Sequence, residues 1–501
     1  MASSLFARKP LARILDEAKA EGEDRLRRVL GPVPLTALGI GSIIGAGIFV
    51  TTGAIARQTA GPALLLSYVV AGIACFFAAL CYAELASAVP ISGSAYTYAY
   101  ASLGEVFAWL IGWGLVLEYA VGAALVANGW SGYLQSVLAS FGVTLPHAVS
   151  GAVVRYDPQL GRLVATGSVV NLPAVVIIGL LMIVLIAGIR ESARFNAVMV
   201  AVKLSTVVFV IAVGAFYVDP RNWHPFAPYG MTGVVLFGKT LLGHTDPGGR
   251  PVGVLAGAAL AFLSYLGFDA VSTQSEEARR PQRDVPIGIL SSLALCTALY
   301  MGVIAVLTGM VRYDRLDLNA PLANAFAQVG LGWAKLLIAL AGVAGITTVL
   351  LVLLLALPRI LLAMARDGLL PQRFFAAVHP RFRTPHKATL ATGLFVSAIT
   401  AFLPLDLLLN LVNLGTLLIF VVVCAAVPVF RLTHPAADRR FRVPLSPWIP
   451  ILGALSCLLL MLSLPGENWL RLLIWFVIGA AIYVLYGRRH SVLARERPAV
   501  R

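Results

Sequence analysis

Residues Gly39–Phe49 read GIGSIIGAGIF, an apolar run in which Gly45 and Gly47 flank Ala46. A second apolar run, SYLGFDAV at Ser264–Val271, is punctuated by Gly267, with the carboxylate of Asp269 close behind. Glycine inside a helix costs about 1 kcal/mol relative to alanine and leaves the main chain free to unwind. Taken alone, the glycines also fit close helix packing through small residues. The matching break beside Asp269 favours two helices unwound at corresponding positions of two five-span halves. That pattern points to an inverted-repeat transporter whose site lies at the bilayer midplane.

The rest of the chain supports a membrane setting. Of its 501 residues 59% are hydrophobic and 12% charged, against about 25% charged in a soluble protein. Apolar runs of roughly 20 residues, enough to cross a ~30 Å hydrocarbon layer, recur along the length. We expect an all-α membrane protein with twelve spans, at about 34–55, 62–86, 105–135, 171–189, 195–218, 252–275, 287–311, 330–364, 388–403, 405–429, 447–464 and 468–487. Residues 1–31 are polar and amphipathic, with no short apolar core ahead of a cleavage site, and read as a cytoplasmic segment. The outer stretches 143–170 and 219–251 read as loops or short caps. Residues 365–386 read as an amphipathic piece on the inner surface.

The net charge of +15 is informative through its distribution. With the N-terminus inside, 27 of the 38 Lys and Arg fall in cytoplasmic segments, which is the positive-inside pattern and puts both termini in the cytoplasm. The basic charge therefore orients the chain and implies no nucleic-acid partner. The five cysteines lie in apolar segments without metal-ligand spacing, no phosphate-binding GxxxxGK[ST] occurs, and no nucleophile and base arrangement suggests an enzyme. Neither cofactor nor metal is expected.

An interrupted helix leaves N–H and C=O groups unpaired where there is no water. A zwitterionic amino acid meets that need through the backbone alone. Its carboxylate would accept from the amides of Gly45, Ala46, Gly47 and Ile48, at the positive end of a half-helix. Its ammonium would sit on carbonyls near Ile43 and Ile44 and on those of Phe262, Leu263, Ser264 and Leu266.

Three charges stand deep in apolar surroundings: Lys203 in AVMVAVKLSTVVFVIAVGAF (Ala197–Phe216), Glu118 in LIGWGLVLEYAVGAALVANGW (Leu110–Trp130), and Asp269. An ammonium in hydrocarbon costs roughly 3 kcal/mol on insertion scales, so Lys203 must face a polar interior, pair, or shed its proton. Two readings are open: a tether that stays charged, or a coupling group whose proton comes and goes as the cavity changes sides. Glu118 is either a coupling partner or a carboxyl kept protonated and hydrogen-bonded. Glu84, Glu276 and Glu277 lie near cytoplasmic ends, where a solvated or gating carboxylate costs little, and each reads first as structural.

The segments GIGSIIGAGIFV, CYAELASAVPISGSAYTYAY, GWGLVLEYAVGAALVANGWSGY, GIRESARFN, SYLGFDAVSTQSEEARRPQRDVPIGI and PRILLAMARDGLLPQRFFAAVHPRFRTPH together resemble the bacterial branch of the cationic amino acid transporter family. That family lies within the amino acid, polyamine and organocation superfamily, and the resemblance covers about residues 30–430. It implies a LeuT-like five-plus-five inverted repeat (32–218 and 252–429), two extra helices (447–487), a basic cytoplasmic tail (488–501) and rocking-bundle alternating access. It makes Ile43, Ala46 and Gly47 substrate-contacting. It also matches Lys203 to the span-five lysine of proton-coupled members, Glu118 to the span-three glutamate and Asp269 to the span-six aspartate, which we expect to act in gating. The chain departs from the family pattern at Ala46, where a hydroxyl residue is common, and at Leu263, where a bulky aromatic gate is common and Phe262 and Tyr265 stand beside it.

The expected function is proton-coupled uptake of L-amino acids across a bacterial cytoplasmic membrane. Neutral substrates are favoured if Glu118 engages Lys203. The alternatives are exchange of cationic amino acids or polyamines without net proton movement and, from another class, a non-transporting amino acid receptor. The expected partners are amino acid, protons and membrane lipid, with room left for a small membrane subunit.

Overall fold

A computed structural model describes residues 8–11, 30–89, 94–157, 162–187, 193–236, 239–382 and 384–495. Most of the expected amphipathic segment 1–31, part of the GIRESARFN motif and the end of the basic tail lie outside the described residues. The fold is dominated by helices: α1 (Pro32–Ile43), α2 (Leu64–Ala88), α3 (Ser94–Ser102), α4 (Glu105–Ser140), α5 (Leu172–Ala187), α6 (Ala193–Gly214), α7 (Val254–Ala261), α8 (Pro281–Met310), α9 (Pro321–Gln328), α10 (Gly332–Arg366), α11 (His386–Phe402), α12 (Leu405–Thr433), α13 (Trp448–Leu462) and α14 (Gly466–Ile482). In hydrocarbon only a helix satisfies its own backbone, so each apolar run is helical. Among the described residues eight helical segments are long and apolar enough to cross a membrane, counting Pro32–Ala88 as one, and α5 and α13 are shorter apolar helices. The chain is an integral membrane protein.

Glycine and small residues let the helices approach closely. A Cβ on Gly342 of α10 would lie 2.4 Å from the Tyr133 ring of α4, and one on Gly129 of α4 would lie 2.6 Å from Val50. Near the other end of α4, Trp113 and Trp475 of α14 stack with ring centroids 4.6 Å apart. Each indole donates to the other's carbonyl, at 2.9 and 3.0 Å. These bonds satisfy two indole N–H groups in an apolar setting while fixing α14 against α4.

The loops between α4 and α5 and between α6 and α7 are more ordered than the sequence suggests. They carry short antiparallel pairs: β1 (Val154–Asp157) with β2 (Arg162–Ala165), β3 (Val234–Leu236) with β4 (Lys239–Leu242), and β5 (His244–Thr245) with β6 (Pro251–Val252). Backbone bonds from Ala63 N to Phe226 O (2.8 Å) and from Gly253 N to Thr59 O (2.8 Å) seat the second loop on the start of α2.

Of the readings open for Glu84, the structure excludes the solvated one. The residue is fully buried, because Arg431 at the end of α12 reaches it with a two-pronged bond, Nε to Oε1 at 2.8 Å and Nη2 to Oε2 at 2.6 Å. The Val443 amide adds a third donor at 2.7 Å. A carboxylate is tolerated there only with these partners, since removing one side of a buried pair strands the other. Arg431→Ala is therefore expected to destabilise the protein by roughly 3 kcal/mol, read as a lower thermal midpoint in detergent, with Arg431→Lys recovering only part of it.

Candidate functional site

Pro32 occupies the first turn of α1, where its missing N–H is no loss. The helix ends where Ile44 turns extended (φ −73°, ψ 102°). After Gly45 and Ala46 the chain rewinds as a π-helical turn, Gly47–Thr51. Such turns loosen the regular ladder and recur at functional positions. The loosened carbonyls are met by hydroxyls: Gly47 O by Thr51 (2.6 Å), Ile48 O by Thr52 (2.9 Å) and Phe49 O by Tyr133 (2.6 Å). Gly45, Ala46 and Gly47 open the rewound segment, where the first amides have no partner within their own helix. On the other side of the interruption, Lys203 Nζ donates to Gly41 O at 2.6 Å and Tyr300 Oη donates to Ile43 O at 2.9 Å. Lys203 thus sets its amino group on the carbonyl end of α1, the end of the helix dipole that favours positive charge.

The second interruption follows α7. Phe262–Tyr265 form one tight 3-10 turn, Leu266 is extended and Gly267 has φ +113°, after which a 3-10 segment runs Asp269–Glu277. A Cβ on Gly267 would stand 2.7 Å from the carbonyl carbon and oxygen of Ser42, and one on Gly47 would stand 2.3 Å from Ser264 Cα. The two breaks therefore touch, and only glycine permits it. Tyr300 Oη also donates to Ser264 O at 2.8 Å, so a single phenol proton is shared between carbonyls of both interrupted helices. The Tyr68 hydroxyl joins Ser264 Oγ at 2.6 Å. Asp269 accepts from the Gly267 amide (3.2 Å) and from the Tyr119 hydroxyl (3.3 Å).

The structure gathers the expected residues unevenly. Ile43, Ile44, Gly45, Ala46, Gly47, Ile48, Phe262, Leu263 and Ser264 are all buried at the two breaks, and Leu266 is half-buried. Phe262 packs edge-on to Phe420 of α12 (5.3 Å). Tyr265 donates to Tyr68 O (2.9 Å) and packs on the Tyr300 ring (5.5 Å). These contacts hold both aromatic candidates for a gate inside the core.

Lys203 and Glu118 are not engaged with each other. The Lys203 chain passes over Gly345, where a Cβ would lie 3.2 Å from its Cγ, and ends on Gly41 O. Glu118 belongs instead to a group with Asp269, Tyr82 and Tyr119. Among the described residues neither carboxyl oxygen of Glu118 has a hydrogen-bond partner. The Thr416 hydroxyl beside it gives its proton to Val412 O, at 3.0 Å. The Tyr82 and Tyr98 hydroxyls and Asn413 Oδ1 are buried without partners as well. A buried polar group left unmet is costly, so this cluster is chemically suited to a ligand or a proton. Among the described residues no group of three or more His, Cys, Asp or Glu could hold a metal ion.

Sequence reading missed Tyr300 and Tyr68. The available signal was a hydroxyl inside an apolar span, which must find an acceptor in hydrocarbon; what it could not give was which carbonyl.

Comparison with known proteins agrees with this architecture. The family described as "Amino acid permease" matches residues 30–486. The chain is 46% identical over 491 residues to the methylthioribose transporter of Bacillus subtilis (strain 168), covering 98% of this chain and 99% of that protein. It is 44% identical over 494 residues to the branched-chain amino acid permease BcaP of the same organism, covering 98% and 100%. It is 31% identical over 597 residues to the vacuolar cationic amino acid transporter 4 of Arabidopsis thaliana, covering 95% and 94%. These relatives are transporters, not enzymes.

Tyr300→Phe removes the proton shared by Ile43 O and Ser264 O. The expected loss is about 1–3 kcal/mol of stability, measured as a drop in thermal midpoint, and an unchanged midpoint would show that the two carbonyls do not depend on it.

Proposed function

The chain belongs to the amino acid permease family, and from that premise we propose that it carries L-amino acids across a bacterial cytoplasmic membrane by alternating access, with uptake coupled to protons. The observation that carries the reading is the contact between two interrupted helices, with the opening amides of the rewound segment, Gly45–Gly47, on one side and a thinly served pair of carbonyls, Ile43 O and Ser264 O, on the other. A zwitterion supplies what both sides lack, acceptor oxygens for the amides and several N–H donors for carbonyls that share one proton. Main-chain recognition of this kind reads the constant part of an amino acid and leaves its side chain to other helices. The substrate-contacting set is Ile43, Ile44, Gly45, Ala46, Gly47, Ile48, Phe262, Leu263, Ser264 and Leu266.

Lys203 is the coupling group in this reading, with Glu118 as a second proton site and Phe262, Tyr265 and Asp269 at the gate. Its amino group sits on the end of the half-helix that must move when access switches, so charge at Lys203 and the position of α1 are linked. A lysine there also supplies covalently the positive charge that a bound cation would otherwise bring. We assign twelve spans as a five-plus-five inverted repeat, 32–218 and 252–429, followed by two helices at 447–487, with both termini cytoplasmic.

Neutral side chains are favoured. Glu118 is not paired with Lys203; support for neutral substrates comes from the relative named for branched-chain amino acids and from the buried apolar side chains of Phe262 and Leu263. A second reading comes from the relative named for methylthioribose: the unpartnered oxygens of Glu118, Asn413 and Tyr82 suit a neutral solute bearing hydroxyl groups.

In liposomes an inward proton gradient is expected to drive amino acid accumulation, and Lys203→Ala should abolish it while counterflow exchange at zero gradient persists; undiminished pH-driven accumulation in the variant would remove the coupling role. Ligand choice is separable by thermal shift with the twenty amino acids, polyamines and methylthioribose at two pH values. A ligand at a hundredfold its Kd adds about 2.7 kcal/mol to the folded state, so a shift with branched-chain amino acids is expected, and a shift with methylthioribose alone would transfer the assignment to the second reading.

A further inference from the structure

The connection between α12 and α13, residues 434–447, carries three arginines that the site does not use, Arg439, Arg440 and Arg442. Arg431, at its threshold, is already committed to Glu84. Arg439 is not. Its Nη2 donates to Pro435 O at 2.9 Å, while its Nε and Nη1 are buried with no acceptor among the described residues. Donor nitrogens of a charged group withdrawn from water and left unmet are costly, and the neighbours do not relieve this. Arg8 and Arg439 both act on His434, all three of one sign when protonated; burial, with Arg8 and Arg439, holds His434 below its ordinary pKa. The connection's own carboxylate, Asp438, takes a hydrogen bond from Gln282 at 3.3 Å. Arg440 and Arg442 are exposed beside it. Among the described residues no carboxylate meets the two free donors of Arg439.

The rim of this connection shows which anion fits. Leu432, Leu445 and Trp448 are 83%, 76% and 68% exposed, large apolar side chains next to a cluster of arginines. Leu445 holds this place with φ +48°, a conformation unfavourable for leucine, and its carbonyl accepts the first amide of α13, Trp448 N, at 2.8 Å. Tryptophan at a span end, apolar neighbours and clustered arginine are what a lipid headgroup region selects; a free anion needs no apolar rim.

We propose that residues 434–447 form a docking surface for an anionic phospholipid headgroup of the inner leaflet, with Arg439 holding the phosphate and Arg440 and Arg442 adding to the attraction. The proposal rests on the cytoplasmic placement of this connection. The surface is tied to the transport core: Val443 N and Arg431 both reach Glu84 of α2, Arg431 Nη2 donates to Val443 O (3.0 Å), and Phe441 N donates to Ser87 Oγ (3.2 Å). A bound headgroup therefore braces α2 against α12.

The test uses the purified full chain in a neutral detergent, with thermal midpoints followed during titration with dioleoyl-phosphatidylglycerol, dioleoyl-phosphatidylcholine or inorganic phosphate at fixed ionic strength. Phosphatidylglycerol is expected to raise the midpoint and the other two to leave it. Each arginine removed should weaken the apparent phosphatidylglycerol affinity about fivefold, in Arg439→Gln and in the exposed double variant Arg440→Gln with Arg442→Gln. The double variant keeps the test open if Arg439→Gln does not fold. An unchanged phosphatidylglycerol response in both variants, or an equal shift with phosphatidylcholine or inorganic phosphate, overturns the proposal. No arm reads uptake, so these outcomes leave the transport assignment where it stands.

Discussion

A main-chain group that has left its helix inside hydrocarbon must find another partner, and that constraint organises this protein. The interruptions after α1 and after α7 release amides and carbonyls into a region without bulk water. Side chains from four other helices answer them: Tyr68 from α2, Lys203 from α6, Tyr300 from α8 and Tyr119, through Asp269, from α4. Each of these residues would be anomalous in an apolar span taken by itself. Each is explained by one or two backbone atoms that have no other recourse.

The satisfaction is incomplete in a patterned way. Carbonyls are served, sometimes by a shared proton, while the amides of Gly45–Gly47 open a segment with no partner within their own helix. The two breaks touch through glycine, at Gly47 against Ser264 and Gly267 against Ser42, so donors and acceptors left over from different helices lie within one small volume. Next to it, the carboxyl of Glu118 and the oxygens of Tyr82 and Asn413 are enclosed without partners among the described residues. A folded protein rarely tolerates so many unmet groups together unless something visits them.

Around this centre the scaffold is fixed by bonds that suit a low-dielectric setting. The reciprocal indole bonds of Trp113 and Trp475 and the Glu84–Arg431 fork meet every strong donor or acceptor they bury. Both join helices that are distant in sequence. Neither uses a residue of the two breaks.

The sequence by itself determined the membrane setting, the helical class and the positions of both interruptions, because hydropathy is a local property and glycine acts where it stands. It also singled out Lys203, Glu118 and Asp269, since a charge in an apolar run is visible without a structure. The partners were decided by tertiary structure. Lys203 reaches Gly41 O and not Glu118, Glu84 is buried against Arg431 and not solvated, and Tyr300 bridges Ile43 to Ser264 across 257 and 36 residues of chain. A hydrogen bond forms over about 3 Å of space, and separation along the chain says nothing about which groups come within that distance. Only the packing of helices does.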